Sequence, residues 1–258
     1  MQENFTTLSA RVIGSGPKLV CLHGFTQTNY SWGIFAQILA NHLQLCLVDA
    51  PFHGESQNIS ASFEQAASLL ARTGGTAHYL GYSMGGRIAL RAALDYPQFV
   101  QSLTLISASP GIESNEERQA RKLSDLELAD SITETKSFVE RWLGQPMFAT
   151  MTPGQQDIES RMSNTPSGLA NSLRQLGTGV QEPLWKRLGK LEMPVLILVG
   201  DNDDKFKEIG KQMQIDIGSN ACIEVISGAG HNLYSEKPIE TAKRVLEFIR
   251  TAPENSAL

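Results

Sequence analysis

Leu80-Gly81-Tyr82-Ser83-Met84-Gly85-Gly86-Arg87 lies between a short apolar run, Ala77 to Leu80, and an alanine-rich helical pattern, Ile88 to Leu94. Strand, sharp turn and helix together form the setting in which Gly-x-Ser-x-Gly makes a nucleophile elbow. The serine stands at the tip of a strained turn with its hydroxyl exposed, and the flanking glycines let strand and helix approach closely. In a chain with 22 glycines the five-residue pattern is weak by itself, so its surroundings must carry the reading.

Those surroundings alternate in both directions. Upstream, Phe5 to Val12 alternates loosely into Gly14-Ser15-Gly16-Pro17, which predicts an edge strand or hairpin. Leu19 to Leu22 and Leu45 to Val48 are continuous apolar runs, as expected of strands buried on both faces of a parallel sheet. Trp32 to Leu39 and Phe63 to Leu70 have helical apolar spacing. Downstream, Leu103 to Ile106 predicts a further strand, and then the rhythm breaks. Pro110 to about Leu188 is polar and helical in pattern, with a charged block at Glu116-Glu117-Arg118-Gln119-Ala120-Arg121-Lys122. Short helical candidates, Thr135 to Leu143, Pro153 to Arg161 and Leu169 to Leu176, are punctuated by Pro146, Pro153, Pro166 and Pro183. Strand patterns return at Pro194 to Gly200 and Cys222 to Ile226. An amphipathic helix, Ile239 to Ile249, closes the pattern, and the tail from Pro253 is expected to fray. The expected architecture is α/β: a mostly parallel central sheet flanked by helices, built from residues 1–109 and 189–258, with a helical lid inserted at 110–188.

The 258 residues, 41% hydrophobic and 19% charged, suffice for one large core. A net charge of -5 disfavours nucleic acid and anionic membrane as partners. Cys21, Cys46 and Cys222 fall inside apolar runs and read as small buried hydrophobes of a reducing compartment, neither a disulfide framework nor a metal site. No apolar run reaches membrane-spanning length, and Met1-Gln2-Glu3-Asn4 starts no secretory pattern, so a cytoplasmic location without membrane insertion is expected.

A serine hydroxyl needs a histidine to take its proton and a carboxylate to orient that histidine. Of five histidines, His231 stands in Gly228-Ala229-Gly230-His231-Asn232, just past the last strand, where open α/β sheets place their sites. His23 and His53 read as loop-packing groups, His42 as solvent-facing, and His78 as a residue within a strand. For the acid, Gly200-Asp201-Asn202-Asp203-Asp204-Lys205 crowds three aspartates into one loop. Asp203 is the first choice, Asp201 the reserve, and Asp204 a candidate helix cap. The backbone N–H groups of Met84 and Phe25 are the candidate donors for a developing oxyanion.

Together these residues resemble the α/β-hydrolase superfamily over nearly the whole chain. More narrowly, they resemble its 2-succinyl-6-hydroxy-2,4-cyclohexadiene-1-carboxylate synthases of menaquinone biosynthesis. The stretches that carry this are Leu22-His23-Gly24-Phe25-Thr26, the elbow with Tyr82 and Arg87, and Ser109-Pro110-Gly111 leading to Arg121. Further along they are Arg161-Met162-Ser163-Asn164, Asp203-Asp204-Lys205-Phe206 and Gly230-His231-Asn232. Phe52 departs from the family, which more often has glycine there, and this puts the turn of its loop in question. The resemblance implies a lyase that removes a ring proton and expels pyruvate from a substrate with three carboxylates, without metal or organic cofactor. Ser83, His231 and Asp203 would move the proton. Tyr82, Arg87, Arg121 and Arg161 would bind the substrate, a small polycarboxylate, and the chain would act as a monomer or weak homo-oligomer. Trp142 reads as lid core. Two alternatives remain: a hydrolase of esters or carbon–carbon bonds with Ser83 as nucleophile, and a small-molecule receptor on the same fold.

Overall fold

The apolar runs pair into a single sheet. The structure, a computed structural model, describes residues 7–252. In chain order its elements begin with β1 (Ala10–Ile13), β2 (Lys18–Leu22), α1 (Gly33–Ala40), β3 (Gln44–Val48) and α2 (Phe63–Gly74). Next come β4 (Ala77–Tyr82), α3 (Met84–Asp95) and β5 (Val100–Ile106). Four helices follow: α4 (Asn115–Asp130), α5 (Thr135–Leu143), α6 (Ile158–Arg161) and α7 (Pro166–Leu176). The chain then forms β6 (Val195–Gly200), α8 (Asp204–Ile217), β7 (Ala221–Ile226), α9 (Leu233–Glu236) and α10 (Pro238–Thr251). The strand order is β1-β3-β2-β4-β5-β6-β7. Only β1 runs antiparallel, pairing with β3 at the edge. Phe5 and Thr6 of the expected first strand, and the tail from Pro253, lie outside the described residues.

The strands are apolar on both faces because helices cover both. Val20, Leu22, Leu103, Leu105, Ile197 and Val199 pack with α2, α3 and α8. Their neighbours Leu19, Cys21, Ile106, Leu196 and Leu198 point the other way, onto α1, α9 and α10. This is the two-residue alternation of a pleated sheet with no solvent face. Helix starts are signposted in the chain: Ser62 and Gln65 form a capping box on α2, and Thr165 with Pro166 opens α7.

Between β5 and β6 the expected helices form their own apolar cluster, Ala129, Ile132, Phe138, Leu169, Ala170 and Leu173, with Phe25 reaching in from below. Past α7, however, Leu184, Leu188 and Leu191 are buried within the sheet's own core. Leu188 belongs to a short helical segment, Trp185–Lys190.

Two sequence readings are corrected. Cys222 is exposed rather than buried, because β7 is the outer strand of the sheet and pairs on one side only. Phe52 resolves the question of its loop: it adopts a positive φ of 69°, a conformation that costs a non-glycine residue about 1 kcal/mol. Its side chain is buried in the core, and a Cβ on Gly168 of α7 would collide with its carbonyl oxygen. Burial and close packing hold the turn that glycine would adopt freely.

Because Leu188 is sealed into the sheet's core, Leu188→Ala is expected to cost about 2–5 kcal/mol in urea unfolding. Leu123→Ala, at a residue 62% exposed in α4, should stay within about 0.5 kcal/mol.

Candidate active site

Four loops converge at the carboxyl ends of the parallel strands, and each delivers one part. Ser83 sits at φ 51° and ψ -111°, between β4 and α3. The glycines make this possible. A Cβ on Gly85 would land on the Leu22 carbonyl oxygen of β2, and one on Gly81 would land on the Gly85 carbonyl. Any other residue at either position would push α3 off the sheet.

His231 arrives from the loop after β7. Its Nε2 lies 3.1 Å from Ser83 Oγ and its Nδ1 lies 2.7 Å from Asp203 Oδ2. Asp203 follows β6, caps α8 with its other oxygen, which accepts from the Phe206 N–H at 3.3 Å, and so is held in place. Asp201, the reserve candidate, faces elsewhere. It accepts from the Gly228 N–H at 2.7 Å and the Ser227 hydroxyl at 3.3 Å. The Gly228 hydrogen bond, followed by the Ser227 hydroxyl, holds its carboxyl below the ordinary range. Asp204 is not the cap; it pairs with Lys207 at 2.7 Å on the surface. The Phe206 ring lies 4.6 Å from the His231 ring.

The Phe25 loop shows how a donor is left free. Gly24 N–H donates to Gln27 Oε1 at 3.0 Å, and the Gly24 carbonyl accepts from Gln27 N–H and His23. Thr26 N–H donates to His53 Nε2 at 3.3 Å. The Phe25 carbonyl accepts from Arg161 and the Thr26 carbonyl from Asn164. The Phe25 N–H is the one backbone polar group from Gly24 to Thr26 without a protein partner among the described residues, and the Met84 N–H at the start of α3 is likewise open. These two open amides border the cavity that Ser83 lines and are candidate donors to an anionic oxygen.

Phe25, Ser83, Met84, Arg87 and Arg121 line one cavity of about 380 Å³, within the usual range of small-molecule sites. Arg87 is 8% exposed. Its guanidinium donates to Gln181 Oε1 and to the Leu176 carbonyl, both at 2.7 Å, and stacks over Phe63. Burial, with the neighbouring Arg121 charge adding to it, lowers Arg87 to about 10, so it remains a cation at neutral pH. Arg121 has a carboxylate partner, Asp125 at 2.7 Å; Arg87 is hydrogen-bonded only to neutral groups, and the charge of the same Asp125 favours its cation.

Tyr82 and Arg161 are not brought into this cavity. The Tyr82 ring is wedged behind it, 5.5 Å from the His231 ring and 5.1 Å from that of Tyr234. Arg161, 1% exposed, is turned onto the Phe25–Thr26 loop. Trp142 packs against both apolar clusters of the inserted segment, as expected of lid core, and also lines the cavity. Its indole N–H is buried without a partner among the described residues.

Sequence reasoning missed three groups. Glu236 is buried and its carboxylate accepts from Gly230 N–H at 2.8 Å and Asn232 N–H at 3.1 Å, which fixes the loop of His231. Gln181 joins Arg87 to the Pro110 carbonyl. Ser107, at φ 45°, lines the cavity with a buried hydroxyl that has no protein partner among the described residues. Only Glu236, just beyond His231-Asn232 in a short polar stretch, had any signal in the chain. His23 and His53 do pack the loops, as expected: His23 Nε2 accepts from the Ala50 N–H at 3.0 Å. Among the described residues no cluster of His, Cys, Asp and Glu is arranged to hold a metal, and no helix is long and apolar enough to cross a membrane.

Comparison with known proteins gives the family. The α/β hydrolase fold family matches residues 17–238. A Bacillus subtilis (strain 168) protein provisionally named 2-succinyl-6-hydroxy-2,4-cyclohexadiene-1-carboxylate synthase is 34% identical over 90% of this chain and 89% of its own. A synthase of the same name from Enterobacter sp. (strain 638) is 31% identical, over 91% and 92%. The chain belongs to this synthase family of the α/β hydrolases. Among solved structures, MenH from S. aureus superposes with a TM-score of 0.87 at 30% identity, covering 93% of this chain and 97% of that one. A thermophilic esterase from Thermogutta terrifontis, at 22% identity and a TM-score of 0.81, shares the fold.

Burial lowers His23 to about 4 and His53 to about 3 from an ordinary 6.5. Between these values and 6.5 the unfolded chain binds more protons than the folded one, so stability is complete above pH 6.5 and is lost as pH falls toward 4. Urea midpoints measured from pH 7 to pH 4 should decline, and His53→Gln should flatten that decline.

Proposed function

We propose that this protein eliminates pyruvate from 2-succinyl-5-enolpyruvyl-6-hydroxy-3-cyclohexene-1-carboxylate, yielding 2-succinyl-6-hydroxy-2,4-cyclohexadiene-1-carboxylate. The observation that carries the proposal is Arg87. It is a buried cation whose hydrogen-bond partners are neutral, one helical turn beyond Ser83 and on the same cavity; the one carboxylate whose charge favours it, Asp125, is shared with Arg121. A charge so placed is costly unless an anion completes it, and a substrate with three carboxylates supplies one. Family membership supports the same reaction.

The distances support the following chemistry. His231 Nε2 accepts the Ser83 proton, Asp203 holds the imidazole in the tautomer that allows this, and the serine oxygen removes the ring proton beside the succinyl carbonyl. The electron pair of that C–H bond forms a new ring double bond. The existing double bond shifts, and the ring carbon–oxygen bond breaks to release enolpyruvate, which becomes pyruvate on protonation. As the proton leaves, negative charge builds on the succinyl carbonyl oxygen. The Phe25 and Met84 N–H groups receive it, each such donor being worth about 3 kcal/mol. The ring proton passes to the serine oxygen, the proton on His231 is returned to the departing enolpyruvate, and the electron pair moves within the substrate to the leaving oxygen, so the reaction calls for no redox group. Arg87 and Arg121 hold the carboxylates with planar forks. A soluble polycarboxylate substrate suits a cytoplasmic enzyme acting as a monomer or weak homo-oligomer.

A hydrolase would use the same three side chains with Ser83 attacking carbon, and Arg87 separates the two readings. Purified protein should release pyruvate from the enolpyruvyl substrate, and Ser83→Ala should lose about a thousandfold or more in kcat. Arg87→Ala should raise KM for this trianion by about tenfold or more while leaving any hydrolysis of a neutral ester unchanged. Ester hydrolysis without pyruvate release would replace the lyase with the hydrolase.

A further inference from the structure

Arg161 ends α6, inside the segment inserted between β5 and β6, yet its guanidinium makes no contact with the Ser83 cavity. Its Nε donates to the Gln156 carbonyl at 2.8 Å. One of its terminal nitrogens donates to the Thr26 hydroxyl and, at 3.5 Å, to the Phe25 carbonyl. One turn on, Asn164 donates to the Thr26 carbonyl at 2.8 Å, and its own side-chain oxygen accepts from the Gly54 N–H at 2.9 Å. From the same helix, Ser160 Oγ pairs with Thr28 Oγ1 at 2.5 Å and Ser31 Oγ at 3.1 Å. The Asn164 carbonyl is tied in turn to the Thr135 hydroxyl of α5 at 2.9 Å. α6 and the three residues that follow it thus hold the loop after β2 at Phe25, Thr26, Thr28 and Ser31.

We propose that α6 is a clamp on this loop. Arg161 and Asn164 are positioning residues that fix the Phe25–Thr26 peptide and so aim the Phe25 N–H at the oxygen above Ser83. The substrate's carboxylates are left to Arg87 and Arg121. This rests on the reading of Phe25 and Met84 as donors to a developing oxyanion.

Two features point to a clamp rather than a substrate contact. Arg161 is absent from the cavity lining that Arg87 and Arg121 share, and its guanidinium engages Gln156 and the Phe25–Thr26 loop instead. Thr26 is held at a positive φ of 69°, a strained conformation for a β-branched residue that persists where its surroundings enforce it. The enforcing contacts are those of Arg161, Asn164 and His53. An amide donor misaimed by a fraction of an ångström loses much of its effect on a transition state, while ground-state binding is little changed.

The test compares Arg161→Met, Asn164→Leu and Thr26→Val with the unaltered protein. Steady-state pyruvate release is measured together with hydrogen–deuterium exchange of peptides spanning residues 24–29. The clamp predicts that each variant lowers kcat by about tenfold or more with KM within about threefold, and that exchange in 24–29 accelerates while the β6 peptide stays protected. Thr26→Val should reproduce the Arg161→Met loss because it removes the acceptor of the same contact, and combining the two should add little. A KM rise with kcat preserved in Arg161→Met would make Arg161 a carboxylate ligand and overturn the clamp. Unchanged exchange would overturn it too, as would faster exchange with kcat intact. If the unaltered protein releases no pyruvate, the lyase reading fails, and the exchange data alone judge whether α6 holds the loop.

Discussion

One close approach governs the site: α3 starts so near β2 that the Gly85 Cα faces the Leu22 carbonyl with no room for a side chain. That contact fixes where the helix begins, and with it the strained φ of Ser83. The strain lifts the hydroxyl off the sheet and leaves the Met84 N–H open at the helix start, on the cavity. Everything else in the site is placed relative to this turn. His231 is brought 3.1 Å from the serine by the loop after β7, and the Phe25 loop crosses the end of β2, the strand on which α3 rests.

The second organising feature is a pattern of satisfied hydrogen bonds with deliberate gaps. His23, His53, Gln27, Arg161 and Asn164 take up the polar groups around Phe25 until one amide is left. Two of these partners are histidines kept neutral by burial, so they can accept or donate without adding charge next to the serine. The positive charge of the cavity comes from its far wall, where Arg87 rests on Gln181 and a helix-end carbonyl. Dipoles near the reacting atoms and cations further away suit a substrate whose carboxylates surround a ring that must itself briefly carry charge.

Most of the fold was legible because the parallel strands are uninterrupted apolar runs and the elbow has a strict local pattern. Thr135–Leu143 matches the expected span end for end, and β4 carries the apolar run Ala77 to Leu80 on by two residues to Tyr82. What stayed illegible depends on direction rather than on residue type. Asp201 and Asp203 lie in one turn, and only the fold shows that the first braces the Gly228 loop while the second meets His231. Arg87 and Arg161 are both buried arginines, but one opens on the cavity and the other turns onto Thr26, a difference set by how α6 docks. Cys222 sits in an apolar run that resembles an inner strand, and its exposure follows from strand order. Gln181 and Ser107 belong to no local pattern, because their partners come from distant parts of the chain or face the cavity.

The distance along the chain between the parts has its own consequence. His231 lies 148 residues beyond Ser83, and the whole inserted segment is made between them. During synthesis the serine, both open amides and Arg87 emerge first, while the base and its carboxylate arrive only with the last two strands. Such long-range closure is slow and late in folding. A chain that has not yet folded its last two strands holds an inert hydroxyl. Onset of turnover therefore times the docking of the sheet's final edge, and the enzyme's own reaction becomes a clock for the completion of its fold.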